Sequence, residues 1–131
     1  MTAVLVFSKS KEGEVSLSPN FKVREFACKD NSDVVLISSE LVEVLQKVRV
    51  HFGKPVNINS AYRTPMHNDK VGGATYSQHL YGTAADIRIT GVEPKKIAEY
   101  ANALMPNKGG IGTYANFVHI DVRETKSRWN G

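Results

Sequence analysis

Two stretches of this 131-residue chain place an imidazole close to a carboxylate. In SQHLYGTAADIRI, Ser77 to Ile89, His79 is followed by Asp86, with Gly82 and the small residues Thr83, Ala84 and Ala85 between them. In FVHIDVR, Phe117 to Arg123, His119 and Asp121 alternate with Val118, Ile120 and Val122. Strand side chains alternate between faces, so His119 and Asp121 share one face and the apolar residues the other. Two imidazoles and one carboxylate make a hydrolytic zinc shell with a fourth position left for water. His79, Asp86 and His119 could supply that shell. A bound zinc ion brings the pKa of its water to about 7. Asp121 is then left to take the proton. The competing reading is a tight turn running into a core strand, with a polar pair on the last strand. His51, near the end of a helix, and His67, in a polar loop, read as structural or solvent-facing.

The elements that must position these residues form an alternating series. VVLIS, Val34 to Ser38, is a short apolar run. SELVEVLQKVRVHFG reads as an amphipathic helix, with Ser39 as N-cap, Leu41, Leu45, Val48 and Phe52 on one face, and Gly53 as the stop. VNINS is a strand ending in AYRTP. A polar, glycine-rich loop runs through HNDKVGGATYSQH to the strand AADIRI. EPKKIAEYANALMP is a second helix, from near Pro94 to before Pro106. GGIGTY and FVHIDVR are the last two strands, adjacent or in a hairpin. Residues 1 to about 33 are polar and broken by turns, with Pro19 and Asn20 marking one. The order predicts a small α+β domain whose antiparallel sheet is flanked by helices. One domain over 1–131 is expected, with residues 1–20 as an N-terminal extension.

Composition restricts the function classes. A hydrophobic fraction of 41% and a charged fraction of 23% are those of a globular protein rather than a disordered one. The net charge of +4 suits an anionic partner such as a cell-wall polymer or a nucleic acid. The basic residues are scattered and no aromatic-interleaved basic patch appears, which argues against nucleic-acid binding. Cys28 is the single cysteine, so no intramolecular disulfide forms, and FKVREFACKD places it in a buried edge. No signal peptide or membrane-spanning run is seen. The expectation is a monomer made in the cytoplasm that makes no membrane contact and reaches the cell wall through lysis or another export route.

SAYRT (Ser60 to Thr64), SQHLYGTAAD (Ser77 to Asp86) and FVHIDVR together resemble the zinc D-Ala-D-Ala carboxypeptidase-like peptidases, family M15, which share a fold with the hedgehog signalling domain. Ser77, His79, Gly82, Ala84 and Asp86 match each fixed position of that family's S-x-H-x-x-G-x-A-x-D motif. The resemblance covers residues 20 to 130. It implies that His79, Asp86 and His119 ligate zinc, and that Arg63 stabilises a developing oxyanion or holds substrate. It implies binding or orienting roles for Ser77, with Tyr62 and Tyr81 shaping the groove. For these three, a packing role stands beside the functional one. Trp129 either floors the groove or anchors the C-terminus. The implied activity is hydrolysis of an amide bond in bacterial peptidoglycan peptides, D,D, L,D or L-Ala-D-Glu, by a carboxypeptidase, an endopeptidase or a phage lysin. The alternative is a cell-wall binding module that keeps the zinc. One departure bears on that choice. Many members carry an acid/base carboxylate three residues before the last histidine, where this chain has Asn116. Asp121 is then either the base or a carboxylate that orients a ligating imidazole.

Overall fold

The computed structural model describes residues 3–131. Nine strands and four helices follow in the order β1 (Val4–Ser8), α1 (Lys9–Glu12), β2 (Ser16–Ser18), β3 (Phe21–Lys22), β4 (Val34–Ser38), α2 (Ser39–Phe52), β5 (Asn57–Ser60), α3 (Pro65–Lys70), β6 (Ala84–Arg88), α4 (Pro94–Leu104), β7 (Gly110–Thr113), β8 (Val118–Asp121) and β9 (Ser127–Asn130). The main sheet has the order β5-β6-β8-β7-β9. All of its pairs are antiparallel except β7 with β9. Two small ribbons, β1–β4 and β2–β3, complete the strands. The α+β expectation therefore holds.

α2 forms where the apolar spacing and end signals place it. Its cap is Ser38, one residue before the expected Ser39: the Ser38 hydroxyl accepts from the Leu41 N–H at 3.2 Å. Gly53 ends the helix in the left-handed conformation, φ +63°. Leu41, Val42, Val44, Leu45 and Val48 are buried. Each such side chain stabilises the fold by about 1.5–3 kcal/mol relative to exposure. α4 opens with Pro94 in its first turn, where the missing N–H costs nothing. It buries Ile97 and Ala101 and packs on β7 and β8. Val118 and Ile120 on β8 and Ile111 on β7 are buried in the same core. One face of the sheet is thus committed to the core, which leaves the other for His119 and Asp121.

Several elements lay outside the sequence expectation, α1, β2 and β3 in the N-terminal segment among them. β1 forms within the segment read as polar and turn-broken because it pairs along its whole length with β4. α3 lies in the stretch read as loop. Thr64 caps it through an acceptor bond from the His67 N–H, and Pro65 begins it. β9 follows the register of β7 and carries Trp129 opposite Gly112. Among the described residues no helix is long and apolar enough to cross a membrane.

Candidate active site

Register brings the two motifs together. On the adjacent strands β6 and β8, Asp86 lies directly opposite His119 and Ala84 opposite Asp121. On the other side of β8, Gly112 faces His119 and Gly110 faces Asp121. Both glycines are steric requirements. A Cβ on Gly110 would collide with the Asp121 carboxylate, and one on Gly112 with the Trp129 indole. Gly110→Ala should therefore destabilise the protein by about 1–3 kcal/mol, as overpacking does. A shifted urea midpoint with an unchanged slope would register that cost, and an unshifted midpoint would mean that Asp121 is free to move.

His79 arrives from a 3-10 turn, Gln78–Tyr81, in the loop before β6. The Ser77 hydroxyl caps this turn by accepting from the His79 N–H at 3.2 Å. Gly82 closes it at φ +74°, and the Gly82 carbonyl accepts from the Ser38 N–H. A side chain at Gly82 would run into the Leu36 backbone. The small residues between His79 and Asp86 thus let the turn lie against β4, while Ala84 and Ala85 are buried in the sheet.

The Ala61 carbonyl assigns the His79 tautomer, whereas His119 has a carboxylate at each ring nitrogen. His79 Nδ1 donates to the Ala61 carbonyl at 2.6 Å, which leaves the Nε2 lone pair facing inward. His119 Nε2 lies 2.7 Å from Asp121 Oδ2, the shorter of its two contacts, and with the proton placed there Nδ1 is the nitrogen that faces inward with a lone pair. Asp86 Oδ1 lies 3.3 Å from His79 Nε2 and 3.0 Å from His119 Nδ1. Ligand atoms of the three residues lie within 4.8 Å of one another. Three acceptor atoms therefore converge in a nearly buried place. They need a positive charge among them, supplied either by an extra proton on a ring or by a metal cation. Burial would lift the Asp86 carboxyl, but its bonds to His119 and His79 outweigh that and hold it well below the usual carboxylate range. Burial would likewise depress His119, but Asp121 and Asp86 outweigh it and raise the imidazole. The donor set of two neutral imidazoles and one carboxylate suits zinc.

The cluster floors an open cleft of about 440 Å³ whose walls include Arg63, Tyr76, Ser77, Tyr114, Arg123 and Trp129. Arg63 is held on three sides. Its Nε donates to Ser60 Oγ at 3.1 Å, its Nη1 to Asn68 Oδ1 at 3.2 Å, and its Nη2 lies 3.5 Å from Asp86 Oδ2. Asn68 is itself buried and donates to the Ala74 carbonyl. Neither Ser60 nor Asn68 was singled out in the sequence. Trp129 lines the cleft, with its ring 5.2 Å from His119, and donates to the Tyr114 hydroxyl.

For three residues the sequence left two roles open, and their positions bear on the choice. Tyr62 is packed in the core and Tyr81 lies outside the cleft, so neither shapes its walls; Tyr76 and Tyr114 stand there instead. Asp121 does not reach the cleft. Its side chain has no exposed surface and lies behind the His119 ring. Oδ1 accepts from the Gly110 N–H, the Arg123 N–H and Arg123 Nε, and Oδ2 accepts from Arg123 Nη2 and His119 Nε2. Burial opposes its ionisation, but the bonds from His119 and Arg123 hold its carboxyl well below the usual range. Of its two open roles, this geometry suits the orienting one. Asn116 is exposed in the β7–β8 turn, and among the described residues Asp86 is the one carboxylate lining the cleft.

A small α+β domain that opens a His/Asp/His cluster into a cleft has the makings of a hydrolytic metal centre. Residues 19–121 match the family described as peptidase M15, and the chain belongs to that family. It is similar to the probable peptidoglycan L,D-endopeptidase MepK of Haemophilus influenzae, 27% identical over 136 residues that cover 91% of this chain and 72% of that protein. It is also similar to the peptidoglycan L,D-endopeptidase MepK of Escherichia coli K12, 38% identical over 76 residues, 53% of this chain and 41% of the relative. A shorter match, 46% identical over 44 residues, is to the zinc D-Ala-D-Ala carboxypeptidase of Streptomyces albus G, covering 33% of this chain and 17% of that one. The chain thus spans less than half the length of the last two.

Proposed function

We propose that this protein is a zinc-dependent peptidase that hydrolyses an amide bond in the peptide part of bacterial peptidoglycan, with His79, Asp86 and His119 as the metal ligands. The observation that carries this reading is the convergence of two imidazole nitrogens and a carboxylate oxygen at the floor of the cleft. When bound, zinc would polarise the scissile carbonyl and acidify a water. The chain's own residues do the rest. The Ala61 carbonyl and Asp121 fix the two imidazoles in the tautomer that can ligate. Ser77 holds the turn that presents His79. The Arg63 guanidinium, fixed by Ser60 and Asn68, faces the cleft beside Asp86 and donates to the oxyanion as it develops. Arg63→Ala should lower kcat/KM by about 10²–10³, the effect of removing one oxyanion donor, with zinc content unchanged. Loss of zinc in that variant, measured by metal analysis, would make Arg63 a structural residue instead.

The names of the similar proteins support the substrate class, and the two L,D-endopeptidases make an L,D bond the first to test. A second reading is a module that holds zinc and the same peptides without cutting them. It is favoured by one observation: among the described residues no carboxylate besides Asp86 lines the cleft to move a proton. Digestion of purified peptidoglycan by zinc-loaded protein, with mass spectrometry of the fragments and an EDTA-treated control, decides between the two. Zinc-dependent fragments establish the peptidase and name the bond. Intact peptidoglycan with zinc retained would leave the binding module.

A further inference from the structure

Arg123 stands on the cleft wall but had no place in the sequence reading. It follows β8, and its guanidinium is fixed in both of the ways that matter. Its Nε and Nη2 donate to the two oxygens of buried Asp121 at 2.8 and 2.7 Å, a bidentate pair that sets its rotation. Its carbon lies 5.5 Å from the centroid of the Trp129 ring, which sets its plane. A guanidinium carries five N–H donors. Asp121 takes one edge of the fork. Among the described residues no other acceptor reaches the guanidinium, so the edge bearing Nη1 has free donors, and the side chain is 31% exposed. A bidentate site for a second carboxylate is therefore already built.

Its position along the sheet matters equally. Arg63 pairs with Asp86 on β6, whereas Arg123 lies over Trp129 on β9, with His119 on β8 between them. The His/Asp/His cluster is thus flanked by one fixed guanidinium on each side. Asp121 pairs with Arg123 from behind the cleft, and among the described residues the one carboxylate lining the cleft, Asp86, is committed to the cluster. A neutral peptide would leave the free edge of Arg123 without a partner, whereas an anionic peptide would fill it.

We propose that Arg123 is a specificity-determining residue that holds a carboxylate of the bound peptide on the β9 side of the scissile bond, so that the cleft selects acidic peptides. This deepens the peptidase reading and rests on it. Peptidoglycan stem peptides carry several carboxylates, and amidation neutralises them one at a time without changing the chain length. The probe is the stem tetrapeptide L-Ala-γ-D-Glu-meso-diaminopimelate-D-Ala together with its singly amidated forms.

Binding is read by calorimetry on metal-free and zinc-loaded protein, and cleavage separately by mass spectrometry. In the wild type, amidation of one particular carboxylate should weaken binding about 10-fold or more, the size of a charge-assisted hydrogen bond. In Arg123→Met that ratio should collapse to about twofold or less, because the partner of the carboxylate is gone. Arg123→Lys keeps a charge without the fork and should show an intermediate ratio. It carries the same test if the methionine variant does not unfold cooperatively. A wild-type protein indifferent to every amidation, or an Arg123 variant that retains the wild-type ratio, would overturn the proposal and leave Arg123 as the partner of Asp121 alone. Failure of the peptidase reading would show differently, as no cleavage of any form, while the binding ratios still decide the role of Arg123.

Discussion

His119→Ala should fold and yet emerge from dialysis with almost no zinc, where the wild-type chain retains about one equivalent. The expectation follows from where the ring sits. His119 is the central member of the cluster, opposite Asp86 on the neighbouring strand and tied to Asp121 behind it. Alanine removes the inward lone pair and leaves two donor groups, fewer than a zinc site uses. Stability gives an independent readout. A metal that binds only the folded state stabilises it by about 2.7 kcal/mol at a hundred times its dissociation constant. Added zinc should therefore raise the melting temperature of the wild type and leave that of His119→Ala unmoved. His79→Ala should behave alike, since its Nε2 is the third inward atom. Tyr81→Ala, outside the cleft, should retain zinc and turnover. A full equivalent of zinc in either histidine variant would refute the ligand set.

What could be read from the sequence followed how local the determining physics is. The period-two pattern of FVHIDVR placed His119 and Asp121 on one face because the other face of β8 is committed to the core under α4. The spacing and end signals of α2 and α4 located both helices to within a residue or so. β9 was not legible, since KSRWN has no apolar alternation and pairs only because β7 offers its far edge. The supports of the site were hidden for the same reason. Ser60 and Asn68 hold Arg63 from different elements, and Gly110 and Gly112 matter only once β7 is known to lie between β8 and β9. For Tyr62 and Tyr81 the resemblance left groove-shaping and packing both open, because a motif does not say which way a ring turns. Tyr62 turns into the core, where its backbone N–H donates to the Phe26 carbonyl.

Asp121→Ala separates the two roles that its position two residues after His119 left open. A general base touches the proton it moves, and its loss lowers turnover by about 10²–10⁴ even when the metal site is full. An orienting carboxylate acts through the imidazole, and its loss weakens metal binding by about 10–100-fold while a saturated site still turns over. The structure supports the second role. Both oxygens are occupied, by His119 on one side and by Arg123 and the Gly110 N–H on the other, and the side chain is fully enclosed. Asp121→Ala should therefore need more zinc to reach half-maximal activity yet approach the wild-type kcat at saturation. It should also lose about 1–3 kcal/mol of stability, because the buried Gly110 N–H and the His119 Nε2–H are left without an acceptor. Asp121→Asn, which keeps an oxygen for His119, should fall between the two in zinc affinity. A zinc-saturated Asp121→Ala that remains about a hundredfold slow would return Asp121 to the proton path, and would require the strand to release it from behind the ring.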